Sequence, residues 1–142
     1  MNEKDVLARQ AVDYMMQKDY FSQWMGVTVL AVKEGYSKIQ MTLRKEMMNG
    51  FGIAHGGVTF ALADSAFAFA CNSDAKVTVA LDVSISFPKP GLEGDILTAE
   101  AKKINQTNRT GLYLIEVANQ RNELVALFKG TCYKTEKDLI KP

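Results

Sequence analysis

Between residues 3 and 24 the apolar side chains Val6, Leu7, Ala11, Tyr14 and Met15 recur at three- and four-residue spacings with charges between them, and Phe21 and Trp24 continue the series less regularly. That period predicts one amphipathic helix flanking the remainder of the chain. At Gly26 the period changes to two. Val27, Val29 and Ala31 alternate with their neighbours, Lys33-Glu34-Gly35 supplies a turn, and Tyr36 to Leu43 alternates again, which reads as a β-hairpin. A Met- and Gly-rich connection over 44–57 leads into Gly57 to Asn72, a run of small and apolar residues interrupted by Asp64. Nearly every face of the helix predicted over 57–72 is apolar, so it is expected to be buried all round. Strands are predicted at 76–88, 94–105, 109–120 and 123–134, and the charged tail 136–142 is expected to fray. One buried helix followed by four long strands implies an α+β architecture in a single domain spanning 1–142, a mainly antiparallel sheet with the helix against one face. Such a sheet leaves the other flank of the helix bare, and a second subunit is the simplest cover, so a two-fold homodimer is expected.

Composition narrows the chemistry. The 142 residues carry 17 basic and 16 acidic side chains, a net charge of +1, which is too even for a general electrostatic footprint on nucleic acid or an anionic membrane. The N-terminus is charged and lacks an export signal, and the apolar run Val58 to Cys71 falls short of the roughly 20 residues that span a bilayer. A cytoplasmic location without a membrane span is expected. The single histidine, His55, argues against a His-dependent zinc site; Cys71 and Cys132 are too far apart for a CxxC pair and are expected as free, buried thiols. No metal or organic cofactor is called for. There is no G-x-S-x-G elbow and no phosphate-binding P-loop, and in the run Gly50 to Gly56 the third glycine falls one place late for a dinucleotide fingerprint.

What remains is Asn49-Gly50 followed by His55-Gly56-Gly57, running straight into the helix that carries Asp64. No Ser, Thr, Asp or Asn directly precedes Val58 to cap the helix, so the glycine amides are expected to be left open. Open amides at a helix N-terminus suit a carbonyl oxygen that becomes negative during reaction, although water on a tight loop would satisfy them as well. A carboxylate in the middle of an apolar helix is costly if unpaired. Asp64 is therefore either bonded to a neighbouring hydroxyl or amide, or it is a general base or nucleophile in a dry pocket. Seven residues separate Gly57 from Asp64, about 10 Å along a helix, so one chain's Asp64 does not reach a carbonyl resting on its own Gly57 amide. An antiparallel helix across a dimer two-fold would bring Asp64 of one chain to Gly57 of the other. His55 reads as a hydrogen-bonding shaper of the loop, with acid–base catalysis as the alternative. Asn49 either closes the loop on its own backbone or orients a water or carboxylate beside the substrate. Phe60 and Phe67 share the face of Asp64 and are candidates for a pocket wall, with core packing as the alternative.

The run Asn49 to Gly57, with Asn six residues before the His and Asp64 nine after it, followed by Ala61 to Asn72, resembles the hotdog-fold acyl-CoA thioesterases, in particular those of phenylacetic acid degradation. The likeness extends to the Phe87-Pro88-Lys89-Pro90-Gly91 turn, Gly94-Asp95 and Val125 to Gly130. It implies a long helix wrapped by an antiparallel sheet, and dimers with shared active sites that pair into a homotetramer. It also implies hydrolysis of acyl-CoA, such as phenylacetyl-CoA or a ring-modified aryl-acetyl-CoA, to the free acid and coenzyme A. By the same resemblance Asp64 attacks the thioester carbonyl or activates water, the Gly57 amide polarises that carbonyl from the partner chain, and Asn49 and His55 support substrate or water. Gly56, Phe60 and Phe67 would line the substrate. Related enzymes place a hydroxyl on the following strand to hold the water; Ala80 stands there, with Thr78 and Ser84 nearby, so that role is left unassigned. Coenzyme A phosphates call for basic groups, and Lys89, Lys102, Lys103 and Arg109 are candidates, with solvated strand-edge charge as the alternative. Two other readings stay open. An acyl-thioester hydratase or dehydratase would need an acid–base pair that the single loop histidine does not form in sequence, and a non-catalytic acyl-CoA binder would have little reason to keep Asn49, His55, Gly57 and Asp64 together.

Overall fold

The computed structural model describes residues 2–141; Met1 and Pro142, the ends of the expected domain and tail, lie outside the described residues. The flanking segment forms two helices rather than one: α1 (Glu3–Met16) and α2 (Tyr20–Met25). The break is local chemistry. The Asp19 side chain accepts from the Ser22 amide and so starts a new helix, and Gly26 ends it in the left-handed conformation, φ 76°, that glycine adopts without strain. The less regular spacing of Phe21 and Trp24 is the trace of this break.

The strands β1 (Thr28–Lys33) and β2 (Tyr36–Thr42) form the expected hairpin. A short 3₁₀ turn at Lys45–Met47 then leads to the central helix α3 (Gly56–Cys71), which begins one residue earlier than its sequence pattern indicates. β3 (Lys76–Ser86), β4 (Ile96–Gln106), β5 (Thr110–Ala118) and β6 (Leu124–Asp138) complete a six-stranded antiparallel sheet in the order β1-β2-β4-β5-β6-β3. This is the α+β hotdog arrangement. The expected fraying from residue 136 is corrected: the chain stays in the sheet to Asp138, opposite Lys76, and the Leu139 amide still bonds the Ala75 carbonyl. Pairing with β3 gives those charged residues a backbone ladder that their composition does not announce. Among the described residues, no helix is long and apolar enough to cross a membrane.

α3 lies on the concave face of the sheet. Leu62, Ala66, Phe67, Phe69 and Ala70 are buried against Ile39, Leu97, Ile115 and Phe128, the alternating inward residues of β2, β4, β5 and β6. Apolar contact alone allows a helix to slide, and two polar links fix its position. The Ser37 hydroxyl donates to the Ala66 carbonyl at 2.6 Å. At the C-terminus the Asn72 side chain donates to the Ala68 and Thr78 carbonyls and accepts from the Thr78 amide, which ties the start of β3 to the end of α3. Gly130 on β6 gives room to the Phe67 ring, since a Cβ there would come within 2.7 Å of it. Cys71 and Cys132 are both free and buried, as expected.

Burial of α3 is incomplete. Gly57 is exposed, and Ala61, Asp64 and Ala68, which follow it at helical spacing on one stripe, are only half-buried. β3 is an edge strand, paired on one side with β6 and open on the other, and its Val79 and Leu81 are 50% and 58% exposed. An uncovered helical stripe beside a long, apolar, unpaired edge is the form that an interface with another chain takes.

Candidate active site

The loop that leads into α3 is held by its own backbone and by Asn49. The Asn49 Oδ1 accepts from the amides of Phe51 and Ile53, at 2.9 and 3.3 Å, while its backbone amide donates to the Ile53 carbonyl. Of the two sequence readings for Asn49, loop closure is therefore the one in place, and its Nδ2 makes no hydrogen bond to the described residues. The His55 amide donates to Met47 O and the Ala54 amide to Gly91 O, so the loop is laced to both the 3₁₀ turn and the 87–91 turn.

At the start of the helix one expectation needs correction. His55 is itself the N-cap: its Nδ1 accepts the Gly57 amide at 2.9 Å. The Gly57 amide is thus occupied, and the imidazole is held as the tautomer that carries its proton on Nε2. Histidine is outside the usual set of capping residues, which is why the sequence pattern shows an uncapped helix. The amide with no protein partner among the described residues is that of Gly56. Gly56 also lines a cavity of about 320 Å³ with Asn49, Thr59, Phe87, Lys89 and Gly91. Phe87 lies flat against it, with ring atoms 3.5 to 3.9 Å from where a Gly56 Cβ would stand. Phe87 and Thr59 were missed as pocket residues. Thr59 sits three residues after Gly56 on the same helix face, a spacing that could have revealed it, whereas Phe87 reaches the site only through the tertiary fold.

Asp64 is two turns further along α3 and does not line this cavity. It is half-buried, and among the described residues it has neither a hydrogen-bond partner nor a basic group in ion-pairing range, which leaves the bonded, purely structural alternative without a partner. Burial, and secondarily the negative charge of Asp19, push its carboxyl above the usual range. A single chain thus carries an open helix-terminal amide and an unpartnered carboxylate and does not bring them together.

The other candidates separate clearly. Phe60 is half-buried, 5.3 Å from the Phe128 ring. Phe67 is corrected from pocket wall to core: it is 1% exposed and packs edge-on to Tyr113 and against Phe128, because the sheet curls over that face of the helix. Lys89 lies at the cavity and pairs with Glu123 at 3.0 Å. Arg109 lines a different cavity with Lys134 and Glu136, while Lys102 and Lys103 pair with Glu100 and Glu34. On β3, Ala80 is exposed, Ser84 is exposed, and the buried Thr78 hydroxyl donates to the Lys76 carbonyl, so no hydroxyl of this strand is aimed at the Gly56 cavity within one chain.

Comparison with known proteins agrees with this fold. Residues 51–126 match the model of the thioesterase superfamily. The chain is 40% identical to the acyl-coenzyme A thioesterase PaaI of Escherichia coli over 89% of this chain and 91% of that protein. The structure of E. coli PaaI, from the phenylacetic acid degradation operon, superposes with a TM-score of 0.93, at 38% identity, over 94% of this chain and 97% of that one. A mutant structure of the phenylacetic acid degradation protein PaaI of Thermus thermophilus superposes with a TM-score of 0.79, at 36% identity, over 82% and 100% of the two chains.

Proposed function

The chain belongs to the thioesterase superfamily as a PaaI-like acyl-CoA thioesterase, and from that premise we propose that it hydrolyses phenylacetyl-CoA or ring-modified aryl-acetyl-CoA in the cytoplasm, at sites shared between two subunits. The observation that carries this reading is the separation of the unpartnered Asp64 from the open Gly56 amide along one helix, together with the half-buried stripe Gly57, Ala61, Asp64 and Ala68. A second copy docked along the β3 edge covers the stripe and sets its own Asp64 against the first chain's helix terminus. The homodimer then pairs into a tetramer, as the family resemblance implies.

In the reaction, the thioester carbonyl rests on the Gly56 amide, where the positive end of the helix dipole stabilises the developing oxyanion. His55 acts at one remove: by engaging the Gly57 amide it fixes the first turn of α3 and leaves Gly56 as the donor. The partner's Asp64 carboxylate either takes a proton from attacking water or attacks the carbonyl itself to form an anhydride that water then opens. Its weak hydration and missing counter-charge keep it reactive. The thiolate leaves and is protonated, giving the acid and coenzyme A. Phe87 offers apolar surface beside the carbonyl, and Lys89 is placed to exchange Glu123 for a phosphate of coenzyme A. The residues named supply the chemistry without a metal or organic cofactor.

Release of free thiol from a panel of aryl-, short- and long-chain acyl-CoAs tests the substrate class, with aryl-acetyl thioesters expected to have the highest kcat/KM. Subunit sharing has a separate test. Gly56→Pro removes the amide and sets the proline ring at the cavity beside Phe87, with the helix kept: position 56 is its first residue, where proline is tolerated, and His55 at φ −61° and ψ 128° already has the backbone that precedes proline. Gly56→Pro and Asp64→Asn chains are each expected to be inactive alone. Unfolded and refolded together, they should recover about a quarter of wild-type activity, because half of the dimers carry one intact site in two. No recovery in the mixture would place both groups of each site in one chain. Single turnover in ¹⁸O-water separates the two roles of Asp64, since label retained in its carboxylate requires the anhydride.

A further inference from the structure

Asp64 stands beside a second carboxylate that the reaction does not use directly. Asp19, the N-cap of α2, is fixed by two bonds from one residue: the Ser22 amide donates to its Oδ1 at 3.0 Å and the Ser22 hydroxyl to its Oδ2 at 2.6 Å. Ser22 is buried, and its Oγ lies 2.8 Å from the Oγ of Ser65, the residue next to Asp64 on α3. An unbroken hydrogen-bonded chain, Asp19–Ser22–Ser65, therefore clamps α2 to the central helix at the level of Asp64.

As the N-cap of a six-residue helix Asp19 is replaceable by any short polar residue, and beyond a modest interaction with the helix dipole its charge has no local purpose. The surroundings give it one. The negative charge of Asp19 bears on Asp64, and within α3 the charge of Asp64 bears in turn on the buried thiol of Cys71. The cations around α2 are engaged elsewhere: the Arg44 guanidinium lies 4.8 Å from the Trp24 ring centroid, donates to the Met25 carbonyl and faces Glu46, Lys18 lies over Tyr14, and Arg9 on α1 pairs with Asp13. A negative charge held rigidly near a half-buried carboxylate, with no cation among the described residues in ion-pairing range of either, strengthens that carboxylate as a proton acceptor.

We propose that Asp19 is a positioning residue of the thioester reaction, whose fixed charge, delivered through the Ser22–Ser65 clamp, sets the strength of Asp64 as base or nucleophile. This rests on the catalytic reading of Asp64, and the test separates the two. The pH profile of kcat/KM is measured for the full-length wild type, Asp19→Asn, Asp19→Glu and Asp64→Asn with the best aryl-acetyl-CoA of the panel. Asn preserves the acceptor for the Ser22 amide and removes the charge, while its Nδ2 donates to the Ser22 hydroxyl where the carboxylate accepted from it. The sign follows from like-charge repulsion: without Asp19, Asp64 ionises more readily, so the acid limb of Asp19→Asn moves to lower pH and activity on that limb rises relative to the plateau. On the plateau kcat falls, because the base is weaker, while KM is unchanged. Asp19→Glu restores both limb and plateau toward wild type. A merely structural cap would lower the plateau without moving the limb. If Asp64→Asn is inactive and the limb of Asp19→Asn stays in place, the proposal is overturned and Asp64 stands; if Asp64→Asn remains active, the catalytic reading itself falls and the proposal with it. Should Asp19→Asn lose its fold, Asp19→Ser, an equally good neutral cap, gives the same readout.

Discussion

Asp64 and Asp95 are both carboxylates set among apolar residues, and their surroundings treat them in opposite ways. Asp95 is 5% exposed, yet both of its oxygens are met: the Gln120 side chain donates to Oδ1 at 2.9 Å, the Leu92 amide donates to Oδ2 at 3.0 Å, and Arg121 stands 3.8 Å away. Burial works to raise its carboxyl, but those bonds and the arginine's charge outweigh it and hold the group below the usual carboxylate range. Asp64 is less buried and has none of these partners, and burial with the Asp19 charge pushes it up. The depth of burial does not separate a structural from a reactive carboxylate. The supply of donors does: Asp95 fixes the turn between β3 and β4, whereas Asp64 has no donor among the described residues, as the proposed chemistry requires.

The contrast can be broken at several points. Asp64→Asn should lower thioester turnover by about 100-fold or more, measured as thiol release, while Asp95→Asn leaves it within about twofold. Gly56→Pro is expected to act on the same scale, about 100-fold in kcat, since it deletes one oxyanion donor, with circular dichroism and Tm close to wild type. In stability the order reverses. Asp95→Ala strands the Leu92 amide and the Gln120 side chain and should cost about 1–3 kcal/mol in urea unfolding, whereas Asp64→Asn should raise Tm. The pH dependences carry opposite signs. Asp95 has a lowered folded-state pKa, so its contribution is present above the ordinary carboxylate range and is lost as pH falls through that lowered value. Asp64 has a raised one, so its ionisation burdens the folded state at neutral pH, and the advantage of Asp64→Asn should shrink as pH falls through the raised value. Equal pH dependence of unfolding in the two variants would remove the distinction. The smallest expected effect is that of His55→Ala, which loses a cap worth about 1 kcal/mol and loosens the first turn of α3.

Much of this was legible along the chain. The changes of apolar period, from three and four to two, place the helices and strands, because burial of one face imposes the period. Asp64 stood out because a lone carboxylate in Gly57 to Asn72 has no local partner, and local partners are what sequence displays. The errors have a common origin. The single helix over 3–24 hid the Asp19 cap, the open Gly57 amide hid a cap made by an imidazole, and the frayed tail hid a ladder with β3: in each case a short-range or cross-strand hydrogen bond overrode the apolar pattern. Phe67 was ambiguous for a different reason, since helical spacing gives a face but not what covers it.

The sequence by itself determined the class of fold, the loop that runs into the central helix, and the lone carboxylate on that helix, since each is a matter of period, spacing or an isolated charge. Only the tertiary structure decided that Gly56 rather than Gly57 offers its amide, that Phe87 walls the cavity, and that Asp19 stands beside Asp64. The last two depend on which groups meet across about 30 or 40 residues of chain, and contacts at that separation leave no local signature; the first depends on an imidazole turning back onto its own helix, which no spacing of residues announces.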